Sequence, residues 1–68
     1  MVITVNGKPR DLPAGTAVAD VVAELVGSPD ARGVAVAVNG EVVPRTAWPT
    51  TVVGQGDRVE VLTATQGG

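Results

Sequence analysis

The sequence predicts an α+β domain in which a mixed sheet of four to five strands carries one main helix across one face. Three observations predict it. Asn6-Gly7 and Asn39-Gly40 each follow a short apolar run, and Asn-Gly is the pair that type I′ hairpin turns favour, because both central positions need φ > 0. Between them, Val18, Val21, Val22, Leu25 and Val26 fall at i, i+3, i+4, i+7 and i+8, the spacing of a single helical stripe. The chain then reaches Arg58–Thr63, where Val59 and Val61 alternate with Arg58 and Glu60 as in a half-buried strand. One apolar stripe has to be buried against something, and a sheet face is the partner on offer.

Taken in order, Val2–Val5 reads as the first strand, with Ile3 and Val5 on one face. The Asn6-Gly7 turn leads into a second strand over Lys8–Leu12, whose Pro9 demands an edge position because proline cannot donate to a ladder. Pro13-Ala14-Gly15 is loop, and Thr16 reads as the helix N-cap, with Asp20 placed where the macrodipole favours negative charge. Gly27 is positioned as a C′ glycine, and Pro29 prevents continuation. Valine is a mediocre helix former, so this helix depends on packing. In Gly33–Val38, Val34, Val36 and Val38 face one way and Ala35 and Ala37 the other, which predicts a central strand buried on both faces. A short strand over Glu41–Val43 is ended by Pro44, and Arg45–Gly56 is connecting structure with a turn near Trp48-Pro49. Gly56-Asp57 is a turn before the last strand. The first and last strands can pair in parallel at the centre, which sends the C-terminal residues off the end of a central strand. The expected division is a folded domain over 1–63 and a flexible tail over 64–68.

Composition narrows the function classes. Sixty-eight residues with 44% hydrophobic content, no Cys and Trp48 as the only aromatic make one small domain that rests on burial alone. The formal charge is −2, and the five basic residues, Lys8, Arg10, Arg32, Arg45 and Arg58, are scattered. Without a basic patch or a stacking platform the chain does not read as a nucleic-acid binder. Its longest apolar stretch, Val34–Val38, is far too short to span a membrane. With no charged and apolar leader either, a cytoplasmic location is expected. The chain has no His, Cys or Tyr, so the usual proton shuttle, thiol nucleophile and metal ligands are missing. It reads as something other enzymes act upon, not as an enzyme, and no catalytic or metal-ligating residue is assigned.

The sequence ends in Gly67-Gly68. Neither glycine has a Cβ, so an extended backbone here can pass through a channel that other residues would block. At average glycine frequency two such residues arise by chance in only about half a per cent of chains. Thr63–Gln66 reads as the stem of this tail. Leu62 falls on the same face as Arg58 and Glu60 and is a candidate partner contact. Arg45 reads as a solvated loop arginine or as a contact to an acidic surface. Trp48 reads as a cover over a core edge whose indole N–H seeks an acceptor, with partner contact as the alternative.

Together these residues resemble the ubiquitin-like β-grasp superfamily and, within it, the ThiS family of sulfur carriers of thiamine thiazole biosynthesis. The likeness spans the chain. It is carried by Val5-Asn6-Gly7, Thr16, the run Val36-Ala37-Val38-Asn39-Gly40-Glu41-Val42-Val43-Pro44-Arg45, Trp48, the segment Gly56-Asp57-Arg58-Val59-Glu60, and Gly67-Gly68. Val61-Leu62-Thr63-Ala64-Thr65 before the tail lacks the aromatic of many β-grasp relatives. The resemblance implies that an E1-like adenylating enzyme uses ATP and Mg²⁺ to adenylate the Gly68 carboxylate. A sulfur donor such as a cysteine desulfurase then yields a thiocarboxylate, and thiazole synthase accepts the sulfur. Gly67 would supply clearance behind Gly68, and Gln66 belongs to the tail that carries them. No cofactor is expected on the chain itself, which is expected to be monomeric when free. A sulfur carrier for molybdopterin or for amino-acid or metabolite sulfuration, a ubiquitin-like protein modifier, and a β-grasp RNA-associated module remain as alternatives.

Overall fold

In the computed structural model, which describes residues 1–27 and 33–63, Val2–Val5 forms β1 and Lys8–Asp11 forms β2. They pair antiparallel, with Ile3 opposite Arg10 and Thr4 opposite Pro9. The connecting Asn6 and Gly7 sit at φ 52 and φ 81, as the primed turn requires. Among the described residues β2 pairs with no other strand and is the sheet edge at which Pro9 can be accommodated.

Helix α1 is Val18–Val26. Its first residue is not set by Thr16, as the sequence predicts. The N-cap is Ala17, while the Thr16 hydroxyl donates to the Pro13 carbonyl at 2.7 Å. Tertiary pairing explains the shift. Ala17 makes a β-bridge with Val52, and the Val53 N–H bonds the Thr16 carbonyl at 3.0 Å. The Val18 N–H is taken by the Thr51 carbonyl at 2.8 Å, which satisfies one of the orphan donors that a capping side chain would otherwise serve. Asp20 adds the reciprocal half of a capping box, its carboxylate accepting the Ala17 N–H at 2.9 Å. At the other end Gly27, at φ 85, donates to the Ala23 carbonyl at 2.8 Å, so the C-terminal glycine stop forms as read. Pro29, the other half of that stop signal, lies outside the described residues, as do Gln66, Gly67, Gly68 and the predicted tail 64–68. Val18, Val21 and Val22 are buried, but Leu25 and Val26 are exposed, so only the first half of the predicted stripe reaches the core.

Val34–Val38 is β3 and Glu41–Val43 is β4, joined by the Asn39-Gly40 turn and paired antiparallel. Arg58–Thr63 is β5. The sheet order is β2-β1-β5-β3-β4, with β5 parallel to β1 and antiparallel to β3. The predicted central parallel pair therefore exists, and it makes β5 the middle strand. β3 is an interior strand as predicted, between β5 and β4, but it is not buried on both faces. Val36 is buried while Ala35 is exposed and Ala37 only half-buried, because the helix covers one side of the sheet alone. The stretch predicted as connecting structure contains a 3₁₀ helix, Arg45–Thr50, and a buried Val53. The core joins Ile3 and Val5 of β1, Val18, Val21 and Val22 of α1, Val36 of β3, Trp48, Val53, and Val59 and Val61 of β5. Among the described residues no helix is long and apolar enough to cross a membrane.

Candidate functional site

β5 organises the end of the molecule from which the chain runs on toward Gly68. Its inward residues, Val59 and Val61, lie in the core, and its outward residues, Arg58, Glu60 and Leu62, stand on the uncovered face. On its β3 flank the register runs from Val38 opposite Val59 through Ala35 opposite Leu62 to Val34 opposite Thr63. β3 thus accompanies β5 to its last residue. On the other flank β1 pairs only at Thr4 and Val5. There the backbone bonds are Thr4 N–H to the Asp57 carbonyl at 3.0 Å and Asn6 N–H to the Val59 carbonyl at 2.9 Å.

Beyond that point the Asn6 side chain takes over. Its Oδ1 accepts the Val61 N–H at 2.9 Å, and its Nδ2 donates to the Val61 carbonyl at 3.2 Å. The start of β5 is held in a related way. Asn39 Oδ1 accepts the Arg58 N–H at 2.9 Å, and Asn39 Nδ2 donates to Asp57 Oδ1 at 3.0 Å. The other oxygen of Asp57 accepts the Gly54 N–H at 2.7 Å, closing the turn read from Gly56-Asp57. Both asparagines read from the sequence as turn residues only. The turn's own preference for Asn hides this second use, so the sequence carries no separate signal for it.

Leu62 is 68% exposed, as its place among the charged residues of β5 implies, and beside it Val42 of β4 is 73% exposed. These two side chains, with Ala35, Ala37 and Glu60, line a shallow depression on the open face of the sheet. Val42, Ala35 and Ala37 were not singled out from sequence. The signal was the same alternation that placed the valines inside, read for its other face. Trp48 is 2% exposed and its indole N–H donates to the Val43 carbonyl at 3.0 Å. That is the core role predicted for it. The alternative of a partner contact is corrected, because the side chain is enclosed. Arg45 is exposed and its guanidinium lies 5.9 Å from the centre of the Trp48 ring, so it covers the outer side of that indole. The structure therefore brings Leu62 together with β3 and β4 and puts Arg45 with Trp48. Among the described residues no three His, Cys, Asp or Glu side chains gather as a metal site.

A mixed five-stranded sheet with one helix across it and a central last strand defines the class as a small ubiquitin-like β-grasp domain. A solved crystal structure of a thiamine biosynthesis protein (ThiS) from Geobacter metallireducens superposes with a TM-score of 0.80 at 38% identity, covering all of both chains. An NMR structure of a thiamine biosynthesis protein from the same organism gives 0.79 at 40% identity, covering all of this chain and 88% of that one. The ThiS family model matches residues 3–68, and the chain belongs to the ThiS family. A thiazole synthase of Paramagnetospirillum magneticum (strain ATCC 700264 / AMB-1) is 34% identical over 68 residues. That match takes in all of this chain and 20% of the synthase, so the chain spans about a fifth of that relative's length.

Proposed function

We propose that this protein is the sulfur carrier of thiazole formation in thiamine biosynthesis, a carrier and not a catalyst. The observation that supports this most is that the family match runs through to residue 68 and so takes in Gly67 and Gly68. In this reading the Gly68 carboxylate attacks the α-phosphate of ATP on an E1-like adenylating enzyme, and pyrophosphate leaves. A carboxylate is a poor electrophile at neutral pH, and the attached AMP gives the acyl carbon a leaving group. Sulfur from a donor then displaces AMP at the acyl carbon, directly as sulfide or as a persulfide whose acyl disulfide a thiol afterwards reduces, and the resulting thiocarboxylate delivers its sulfur to thiazole synthase. ATP and Mg²⁺ belong to the adenylating partner, whose site stabilises the developing oxyanion. Gly67 and Gln66 give Gly68 its reach, Leu62 contributes to docking on the open face, and Arg45 lies outside that contact, beside Trp48. The cytoplasm is the compartment in which these partners meet the chain.

The test is the intact mass of the protein isolated from cells grown without thiamine. A gain equal to exchange of one oxygen for sulfur, located in the C-terminal peptide, is expected, and it should accumulate when thiazole synthase is blocked. An unmodified mass under both conditions would exclude the carrier role. Conjugates of higher mass on other proteins would favour a protein modifier instead.

A further inference from the structure

The Asn6-Gly7 turn carries more chemistry than a turn needs. Its two φ values, 52 and 81, are equally accessible to Gly-Gly, so turn formation alone does not call for an amide at position 6. The amide is used instead on β5, accepting from and donating to Val61 at 2.9 and 3.2 Å. A side-chain amide carries the same acceptor and donor as a peptide group. Placed here, it supplies the acceptor and the donor that β1 would offer next if it ran on beside β5 in parallel. The chain of β1 turns away at Gly7, yet lateral restraint on β5 continues two residues past Val59. Val61 is itself two residues before Thr63, and Gly68 is the fifth residue after Thr63.

We propose that Asn6 is a positioning residue for the reaction at Gly68: its amide fixes the direction in which β5 delivers the chain to a partner's active site. The proposal rests on the carrier reading above. Without the amide, β3 still holds the opposite edge of β5 through Thr63. The strand is then not released: core packing of Val61 and the β3 pairing remain, and what is lost is the restraint on its β1 side. Lengthening a tether from five to seven residues lowers effective concentration by less than about twofold, since it falls roughly as the −3/2 power of length. Misdirecting a reacting group by about 1 Å, in contrast, can cost on the order of a hundredfold. The effect of a lost clamp is therefore one of aim.

Asn6→Gly tests this, because it keeps the left-handed turn and removes both side-chain bonds. Asn39→Gly is the matched control, since it alters the same kind of turn and unclamps the other end of β5. In Asn6→Gly, amide exchange at Val61 should accelerate more than tenfold relative to Val59. ATP–pyrophosphate exchange by the adenylating partner should show kcat lowered about tenfold with KM for the carrier unchanged. Asn39→Gly should keep the wild-type kcat. If Asn6→Gly fails to fold, Asn6→Asp retains the turn preference and the acceptor for the Val61 N–H, and a smaller fall in kcat is expected. An Asn6→Gly kcat within twofold of wild type, or an equal loss in Asn39→Gly, would return Asn6 to turn chemistry alone. A wild-type chain that the adenylating enzyme does not accept would instead overturn the carrier reading, and the positioning role with it.

Discussion

Gly68→Val puts a Cβ and two methyl groups on the residue whose carboxylate is proposed to react. A β-branched side chain beside the acyl carbon both widens the chain and restricts its rotation. If a narrow partner channel has to admit this residue, the variant should fold normally and fail at sulfur transfer. The measurement is thiocarboxylate formation by mass spectrometry, beside a thermal melt. Stability should stay within about 0.5 kcal/mol of wild type, the usual range for substitutions that touch no core or cap. Transfer at the wild-type rate would remove Gly68 from the mechanism. Asn6 makes the complementary point at the same scale. Its role is visible only when the hydrogen bonds are traced, because sequence reports a residue's turn preference and not the strand its side chain reaches.

Helix α1 shows how far single elements were legible. Its apolar spacing, its first-turn Asp20 and its Gly27 stop are local signals, and they form where the sequence places them. Its N-cap was misplaced because the decisive contacts, Ala17 with Val52 and Val18 N–H with the Thr51 carbonyl, come from residues more than thirty positions away. β3 fails for the opposite reason. Its alternating Val and Ala are apolar on both faces, and periodicity alone does not say that only the valine face meets a helix. The 3₁₀ helix at Arg45–Thr50 carries no stripe long enough to read. Of the candidate site, Leu62 was legible from its alternation with Arg58 and Glu60. Val42 and the alanines beside it needed the strand register. The helix start also gives a prediction. Asp20→Ala removes the acceptor of the Ala17 N–H but leaves the Thr51 carbonyl in place, so the cost should be about 0.5–1.5 kcal/mol. At about 4–8 °C per kcal/mol for a domain of this size, the melting temperature should fall by several degrees. No change would mean that tertiary pairing alone holds the helix start.

At the scale of the whole molecule, the sheet divides the described residues into a face that holds the fold and an open face that the core does not use. The helix side carries the buried valines, Ile3 and Trp48, whereas the open side carries Leu62, Val42, Ala35 and Ala37 around Glu60. Substitutions on the two faces should therefore separate stability from docking. Trp48→Ala removes a fully enclosed ring and strips the Val43 carbonyl of its donor. Losses of about 3–5 kcal/mol are usual for such a truncation. A domain of 68 residues has about 3–10 kcal/mol in total at typical values per residue. Chemical denaturation of Trp48→Ala should thus show a largely unfolded chain or one with little margin left. Leu62→Glu changes a side chain that is 68% exposed, so its denaturation midpoint should match wild type. Burying a leucine against a partner contributes about 1.5–3 kcal/mol. Replacing it with a carboxylate next to Glu60 forfeits that contribution and adds like charge, so affinity for the adenylating enzyme should fall at least about tenfold, each tenfold being about 1.4 kcal/mol. Calorimetric titration of the two folded carriers against that enzyme measures the difference. Equal affinities would move docking off the open face and leave Leu62 an ordinary exposed leucine.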